Sequence, residues 1–159
     1  MEEKKNIEEL IKSLGSVIRD LKSEDEVIRR SAGEKLDLIE DELEWKPLTD
    51  TSATAIEPLV NALKDNEERI RIRAASTLGK IGVPAAIEPL LGLLKDGTGL
   101  DRQFAADALG DIFMQAGVKR YSIDSELAEK AARSLCEHLN DHDTPVQGYA
   151  ANALDSIQA

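Results

Sequence analysis

The chain has 159 residues, of which 42% are hydrophobic and only 3% aromatic, so any core must be built from Leu, Ile, Val and Ala. Its formal net charge of −11 disfavours nucleic acids and anionic membranes as partners, because both repel an acidic surface. No stretch approaches the ~20 apolar residues of a membrane span, and the initial MEEKKNIEEL lacks the apolar region of a signal peptide, so we expect a soluble cytoplasmic protein.

The first predicted unit lies near residues 5–41 and contains two amphipathic helices. Apolar residues recur every three or four positions in both halves, which is typical of helices with one buried face. These residues are Leu14, Val17, Ile18 and Leu21, then Ile28, Ala32, Leu36 and Ile39. Ser23 and Glu26 form a capping box, which predicts that the second helix begins there.

The second unit lies near residues 55–82 and has the same organisation. Its apolar positions are Ile56, Leu59, Val60 and Leu63, then Ile70, Ala74, Leu78 and Ile81. The stretch DNEE at 65–68 predicts the start of its second helix. Gly82 predicts the end of that helix, and Pro84 predicts the start of the next one.

The third unit, near residues 84–114, repeats the second. The stretch AIEPLVNALKD at 55–65 returns 31 positions later as AIEPLLGLLKD at 86–96. At the same offset the matching pairs are Arg71 and Arg102, Ala74 and Ala105, Ala75 and Ala106, Leu78 and Leu109, Gly79 and Gly110, and Ile81 and Ile112. Similarity over a whole unit of about thirty residues indicates a repeat architecture.

A weaker fourth unit lies near residues 125–158, so two insertions separate the units, at 42–54 and 115–124. Insertions in repeat proteins map to loops on one side of the stack, and we predict loops here. Each insertion carries an aromatic residue, Trp45 or Tyr121, which either packs as a lid over the neighbouring unit or contacts a partner.

The repeated pattern resembles HEAT repeats, and most of all the short repeats of phycobilisome-lyase type. Residues 55–82 carry the motif best, with Asp65, Arg71, Ala74, Ala75, Leu78, Gly79, Ile81 and Gly82. The outer units depart from it, because Gly33 replaces the second alanine in the first unit and Gln147 replaces the arginine in the fourth. The resemblance covers almost the whole chain.

The resemblance implies an all-α fold, a right-handed α-solenoid of about four HEAT-like helix pairs in one domain, 1–159. Single pairs cannot cover their own apolar faces, whereas stacked pairs share one continuous core. In such families the turn aspartate and the arginine form a structural ladder between repeats. That role is therefore expected for Asp65, Asp96, Arg29, Arg71 and Arg102.

The second helices of the units are implied to line the concave face. The outward positions expected to contact a partner there are Arg69, Ile72, Arg73, Ser76, Lys80, Gln103, Phe104, Asp107, Tyr149 and Asn152. Phe104 and Tyr149 beside Arg73 are plausible anchors for a peptide or protein, or else they cover the groove between units as core periphery. The basic cluster Arg69, Arg71, Arg73 and Lys80 either receives an acidic partner or is a solvated face balanced by Glu67 and Glu68.

Catalytic and metal-binding chemistry is not indicated by the sequence. His138 and His142 have the spacing of a helical metal pair, but the repeat pattern places His142 in a turn beyond the helix. Phosphate-binding, dinucleotide-binding and nucleophile-elbow glycine motifs do not occur. HEAT-like metal hydroxylases carry repeated His-Glu pairs, and this sequence contains no His-Glu dipeptide.

The sequence therefore predicts a non-catalytic protein–protein interaction scaffold that binds a protein or peptide on its concave face, without cofactor or metal. The alternative is a small accessory enzyme or a lyase-like cofactor-attachment factor, which rests on the family resemblance alone. The last unit ends at residues 154–159 without the polar cap that solenoids usually need, so self-association through this C-terminal repeat is a further hypothesis.

Overall fold

The protein is described by a computed structural model that covers residues 2–44, 53–119 and 122–158. These ranges contain eight α-helices and no strand. The helices are α1 (Glu2–Leu21), α2 (Glu26–Glu44), α3 (Ala53–Ala62), α4 (Glu68–Ile81), α5 (Ile87–Asp96), α6 (Gly99–Lys119), α7 (Ser125–Glu137) and α8 (Thr144–Gln158). Short 3₁₀ turns at Pro84–Ala86 and His138–Asn140 precede α5 and follow α7.

The helices pack as four successive pairs in two layers, which confirms the predicted α-solenoid. One layer contains α1, α3, α5 and α7, and the other contains α2, α4, α6 and α8. In the second layer each helix packs on the next, and α4, α6 and α8 are the most closely associated. One continuous apolar core runs through all four pairs, from Leu14 on α1 to Ala153 on α8.

The second predicted insertion is partly helical. Residues 115–119 continue α6, which ends at Lys119. Gln115 explains how this extension is held, since its side-chain amide donates to the carbonyl oxygens of Gly79 (2.8 Å) and Lys80 (3.1 Å). The extension thereby supplies partners for carbonyl groups at the C-terminal end of α4.

The first predicted insertion is partly helical as well, since residues 42–44 end α2 and residues 53–54 begin α3. Trp45 and Tyr121 lie outside the described residues, so the two alternatives for these aromatic residues stay predictions.

A recurring side chain closes the turn within each pair. The arginine or glutamine near the start of each second helix donates to a backbone carbonyl of the preceding turn. The contacts are Arg29 to Ser23 (2.8 Å), Arg71 to Asp65 (2.8 Å), Arg102 to Gly97 (3.2 Å) and Gln147 to Asp141 (2.6 Å). Gln147 therefore replaces the arginine of the motif in this role without supplying its charge.

Two of these arginines also reach the next unit, but the aspartates differ from the predicted ladder. Arg102 pairs with Asp141 through two hydrogen bonds of 2.9 and 3.0 Å. Arg71 pairs with the buried Asp101 (2.8 Å), not with Asp96, which is exposed. Asp96 was therefore predicted wrongly, because Asp101 on the first turn of α6 reaches into the space between the units while Asp96 points to solvent.

The first two units are joined by a lysine and not by one of the arginines of the predicted ladder. Lys22 pairs with Asp65 at 2.8 Å, whereas Arg29 is engaged by the carbonyl groups of Ser23 and Glu24 in its own turn. The prediction that Asp65 is structural is thus confirmed, with Lys22 in place of Arg29 as its partner. The ladder is consequently a set of separate ion pairs between neighbouring units.

We expect the free energy of unfolding to fall as the pH drops below roughly 4. Burial alone raises the pKa of Asp65, Asp101 and Asp141, but hydrogen bonds from their cationic partners and from backbone N–H groups outweigh it, so each pKa lies below its ordinary 3.8. A carboxyl group with a lowered pKa stabilises the fold above its unfolded-state pKa and loses that contribution as the pH falls through its folded-state pKa.

Denaturant unfolding followed by circular dichroism between pH 7 and pH 3 measures this effect. The Asp101→Ala variant is the control, since it lacks one of the three groups and must show a shallower decline. An equal slope in both proteins would show that Asp101 does not contribute to the acid sensitivity.

Candidate partner-binding surface

The exposed side of the layer formed by α2, α4, α6 and α8, called the second-helix surface below, carries the ten residues that the sequence predicted to contact a partner. All ten are at least partly exposed. Arg69, Lys80, Asp107 and Asn152 are exposed, and the other six, Ile72, Arg73, Ser76, Gln103, Phe104 and Tyr149, are half-buried. The helical repeat of the sequence was sufficient to place them at the surface, but not to show what they contact.

The basic residues of α4 are already engaged by acidic residues of α2. Arg73 forms an ion pair with Asp37, and Lys80 contacts a carboxylate oxygen of Glu40 at 2.5 Å. Glu40 is only 2% exposed and also accepts from Thr77 at 2.5 Å. These contacts hold the first unit against the second, because a buried carboxylate needs such partners.

The predicted basic cluster is therefore mostly neutralised within the protein. Arg69 pairs with Glu67 at 2.7 Å, as one of the two predicted alternatives had it, and Arg71 pairs with Asp101. Sequence reasoning missed Glu40 and Asp37 as the balancing groups. No signal in the sequence distinguishes Glu40 from the other acidic residues of α2, since only the packing of α2 on α4 buries it.

Phe104 and Tyr149 lie at the edge of the core, and whether they also contact a partner stays a prediction. Both rings are half-buried and pack against the apolar core. Leu154 and Ile157 of α8 also pack against this core, so much of their apolar surface is covered. Self-association through the C-terminal repeat stays a prediction.

A groove of about 180 Å³ lies on the second-helix surface between α6 and α8. Small residues form its floor, since α6 and α8 approach closely at Gly110 and Ala153. Asp107, Asp111, Met114, Tyr149, Asn152 and Ser156 form its walls. The groove thus combines carboxylates, an amide, a phenol ring and a thioether around a small apolar floor.

Met114 is a groove residue that the sequence analysis missed. Its side chain is 53% exposed, and Val118, one turn further along α6, is 73% exposed. The missed signal is the spacing 107, 111, 114 and 118, which places two acidic and two apolar side chains along one stripe of α6. This stripe is not visible in the repeated motif, because Val118 lies in the helical extension that was predicted to be an insertion.

Asp107 differs from the acidic residues that join the units. Although Asp107 is exposed, its neighbours partly shield its carboxyl group from water, which raises the pKa of that group, and no cation or hydrogen-bond donor among the described residues lowers it. Within the described residues Asp107 has neither an ion pair nor a hydrogen bond from a side chain. Asp107 is therefore a carboxylate of this surface that does not join two units.

Arginine side chains line a second cavity of about 350 Å³ between α2 and α4. Those of Arg29, Arg30, Arg69 and Arg73 meet there, together with Glu26. Each of the four guanidinium groups already contacts an acidic side chain or a backbone carbonyl of the protein. This cavity is for that reason a weaker candidate for an acidic ligand than its residue types suggest.

The two histidines have separate environments. His138 lies in the 3₁₀ turn after α7, with Nδ1 2.8 Å from the carbonyl oxygen of Ser134, whereas His142 is 85% exposed in the following turn. Among the described residues no three His, Cys, Asp or Glu side chains are close enough to hold a metal ion. None of the helices in these ranges is long and apolar enough to cross a membrane.

The protein is an α-solenoid, and its sequence shows to which repeat family it belongs. The family model of HEAT repeats matches residues 11–110, which is more than half of the chain. The protein therefore belongs to the HEAT-repeat family. Among curated proteins, none matches the sequence.

An engineered protein from a structural genomics consortium has a similar fold, and it is 21% identical with a TM-score of 0.58 over 91% of this chain and 62% of that one. The complex of CpcE and CpcF of phycocyanin lyase from Nostoc sp. PCC7120 is 20% identical, with a TM-score of 0.48 over 89% and 63%. A second engineered protein is 21% identical, with a TM-score of 0.40 over 92% and 48%. The chain spans less than two thirds of the length of each, and what the 21% identity to the first engineered protein shows is a shared fold alone.

Proposed function

We propose that the protein is a non-catalytic, cytoplasmic interaction module that binds a protein or peptide partner on its second-helix surface. The groove between α6 and α8 carries this proposal, because its walls combine an exposed Met114 with an Asp107 whose charge is compensated by no cation of the described residues. Surface groups that contribute nothing to folding but line a concave feature are typical of binding sites.

A comparison of α4 with α6 and α8 supports the last two as the binding part of this surface. An interaction module needs one side that stays open after the units have stacked. On α4 the exposed basic side chains form ion pairs with α2. In the groove between α6 and α8, by contrast, the carboxylate of Asp107 is open to a partner. The negative charge of the chain, −11 overall, favours a partner with basic residues.

The test is an affinity capture from a lysate of the native source with two charge-neutral double variants. Arg69→Glu with Asp107→Lys alters the second-helix surface. Glu57→Lys with Lys95→Glu, at exposed positions of α3 and α5, is the matched control on the other layer. We expect a protein that the wild type and the control retain equally, and that the first variant retains at least tenfold less.

Circular dichroism must show that both variants keep the helix content of the wild type. A partner held equally by all three proteins would exclude the second-helix surface. A purified protein that carries a chromophore or a metal, and retains no partner, would contradict the proposal and favour a cofactor-attachment role.

A further inference from the structure

The walls of the groove between α6 and α8 differ along its length. Asp107 and Asp111 lie in the middle of α6, and Met114 follows Asp111 by one turn, with Val118 beyond it on the same stripe. Seven residues of helix separate Asp107 from Met114, which is roughly 10 Å along the axis. The groove therefore presents a negative end and an apolar end at a fixed separation.

The negative end has the composition of a site for a guanidinium group. The carboxylate of Asp107 can accept two parallel hydrogen bonds from an arginine, and the amide of Asn152 offers a further acceptor. Tyr149 lines the same groove and is half-buried, so the exposed part of its ring can contact a planar cation bound at Asp107. A lysine ammonium would satisfy the charge but neither the paired hydrogen bonds nor the planar contact with the ring.

The apolar end suits an aliphatic side chain. Met114 is flexible and polarisable, and thioethers adapt to partners of different shape. An extended peptide covers roughly 10 Å in three residues, and a helical one in two turns. An arginine and an aliphatic residue at either spacing would reach both ends of the groove together.

We propose that the groove between α6 and α8 binds a basic segment of a partner protein, with an arginine against Asp107 and an aliphatic side chain against Met114. This rests on the proposed function and specifies its site and the chemistry of the partner. Charge complementarity favours such a segment, because residues 100–159 carry ten acidic and five basic residues, which attract a cationic chain before contact.

In the experiment, peptides that bind the intact protein are selected from a phage-displayed library of random twelve-residue sequences. The retained peptides are synthesised, each with a matched version in which glutamine replaces the arginine, and their affinities are measured by titration calorimetry. The proteins are the wild type, Asp107→Asn, Met114→Ser and the control Glu129→Gln, which removes an exposed carboxylate from α7.

The expected peptides contain arginine and an aliphatic residue three or seven positions apart. Asp107→Asn and the arginine replacement each weaken binding about tenfold, and together they weaken it no further than either alone, because both remove the same contact. Met114→Ser weakens binding without changing the loss caused by the arginine replacement. Glu129→Gln binds like the wild type.

Three results would overturn the inference. Retained peptides without a basic residue, or additive effects of Asp107→Asn and the arginine replacement, would show that Asp107 is not the contact. A library that yields no peptide above an uncoated surface would exclude the groove as a peptide site. The lysate capture with the Arg69→Glu and Asp107→Lys variant is an independent measurement. If that variant loses a partner but the library yields no peptide, the second-helix surface is still an interface, and the arginine contact is excluded.

A stability measurement separates loss of binding from loss of fold. Since burial raises the pKa of Asp107, its ionised form costs stability at neutral pH, and Asp107→Asn is expected to unfold at the same or a higher denaturant concentration than the wild type. A variant that binds less while being no less stable has lost a contact with the peptide.

Discussion

Replacing Asp101 with alanine is expected to lower the free energy of unfolding by about 3 kcal/mol, while the same change at Asp96 leaves it within about 0.5 kcal/mol. Asp101 is 1% exposed, and its carboxylate receives hydrogen bonds from Arg71 (2.8 Å) and from the backbone N–H of Thr98 (3.0 Å). Its removal leaves the guanidinium between the second and third units without its carboxylate, and it also removes a cap at the start of α6.

Chemical unfolding of the two alanine variants, followed by circular dichroism, is the measurement. The two variants are informative because the repeated motif predicts Asp96 as the partner of Arg71, whereas the structure pairs Arg71 with Asp101. Equal losses at both positions, or a larger loss at Asp96, would show that Arg71 pairs with the aspartate of the motif. Asp101→Asn is expected to fall between wild type and alanine, since the amide oxygen still accepts hydrogen bonds while the charge is gone.

The repeat pattern was sufficient to predict the helix pairs and their shared core. All of the motif's apolar and alanine positions from Ile70 to Ile81 are buried, and the same holds at Ala105, Ala106, Leu109 and Ile112. Such positions can be recognised in the sequence because burial of one helix face makes apolar residues recur with a period of 3.6 residues. The positions that the prediction missed carry no such period.

Glu40, Gln115 and Asp101 illustrate why the contacts between units could not be predicted. Each is a polar residue whose partner lies 30 or more positions away, at Lys80, Gly79 and Arg71 respectively. Whether a polar side chain meets such a partner depends on the angle between neighbouring pairs, which one or two residues of linker length change. The candidate groove was missed in part for the same reason, because its walls come from α6 and α8 and the exposed Val118 beyond its apolar end lies in an extension unique to one unit.

Replacing Gly79 with alanine is expected to destabilise the protein by about 2 kcal/mol, although alanine is the better helix former. A methyl group at this position would lie 2.8 Å from the Cα atom and 2.9 Å from the Cβ atom of Ala108, so the backbones of α4 and α6 would have to move apart. The core side chains packed between the second and third units would then lose contact with one another, which is where the cost arises.

Gly148→Ala provides the control of opposite sign. Gly148 lies inside α8, and a methyl group there meets no atom within 4 Å beyond its chain neighbours and the backbone of its own helix, so the gain in helix propensity of about 0.5–1 kcal/mol is expected in full. Gly110→Ala is intermediate, since its methyl group would lie 3.2 Å from the Cα atom of Ala153. Denaturant unfolding should therefore rank the variants Gly148→Ala, Gly110→Ala and Gly79→Ala from most to least stable. A Gly79→Ala variant as stable as Gly148→Ala would mean that the units can separate without loss, and the close contact of α4 with α6 would then not be what aligns the second-helix surface.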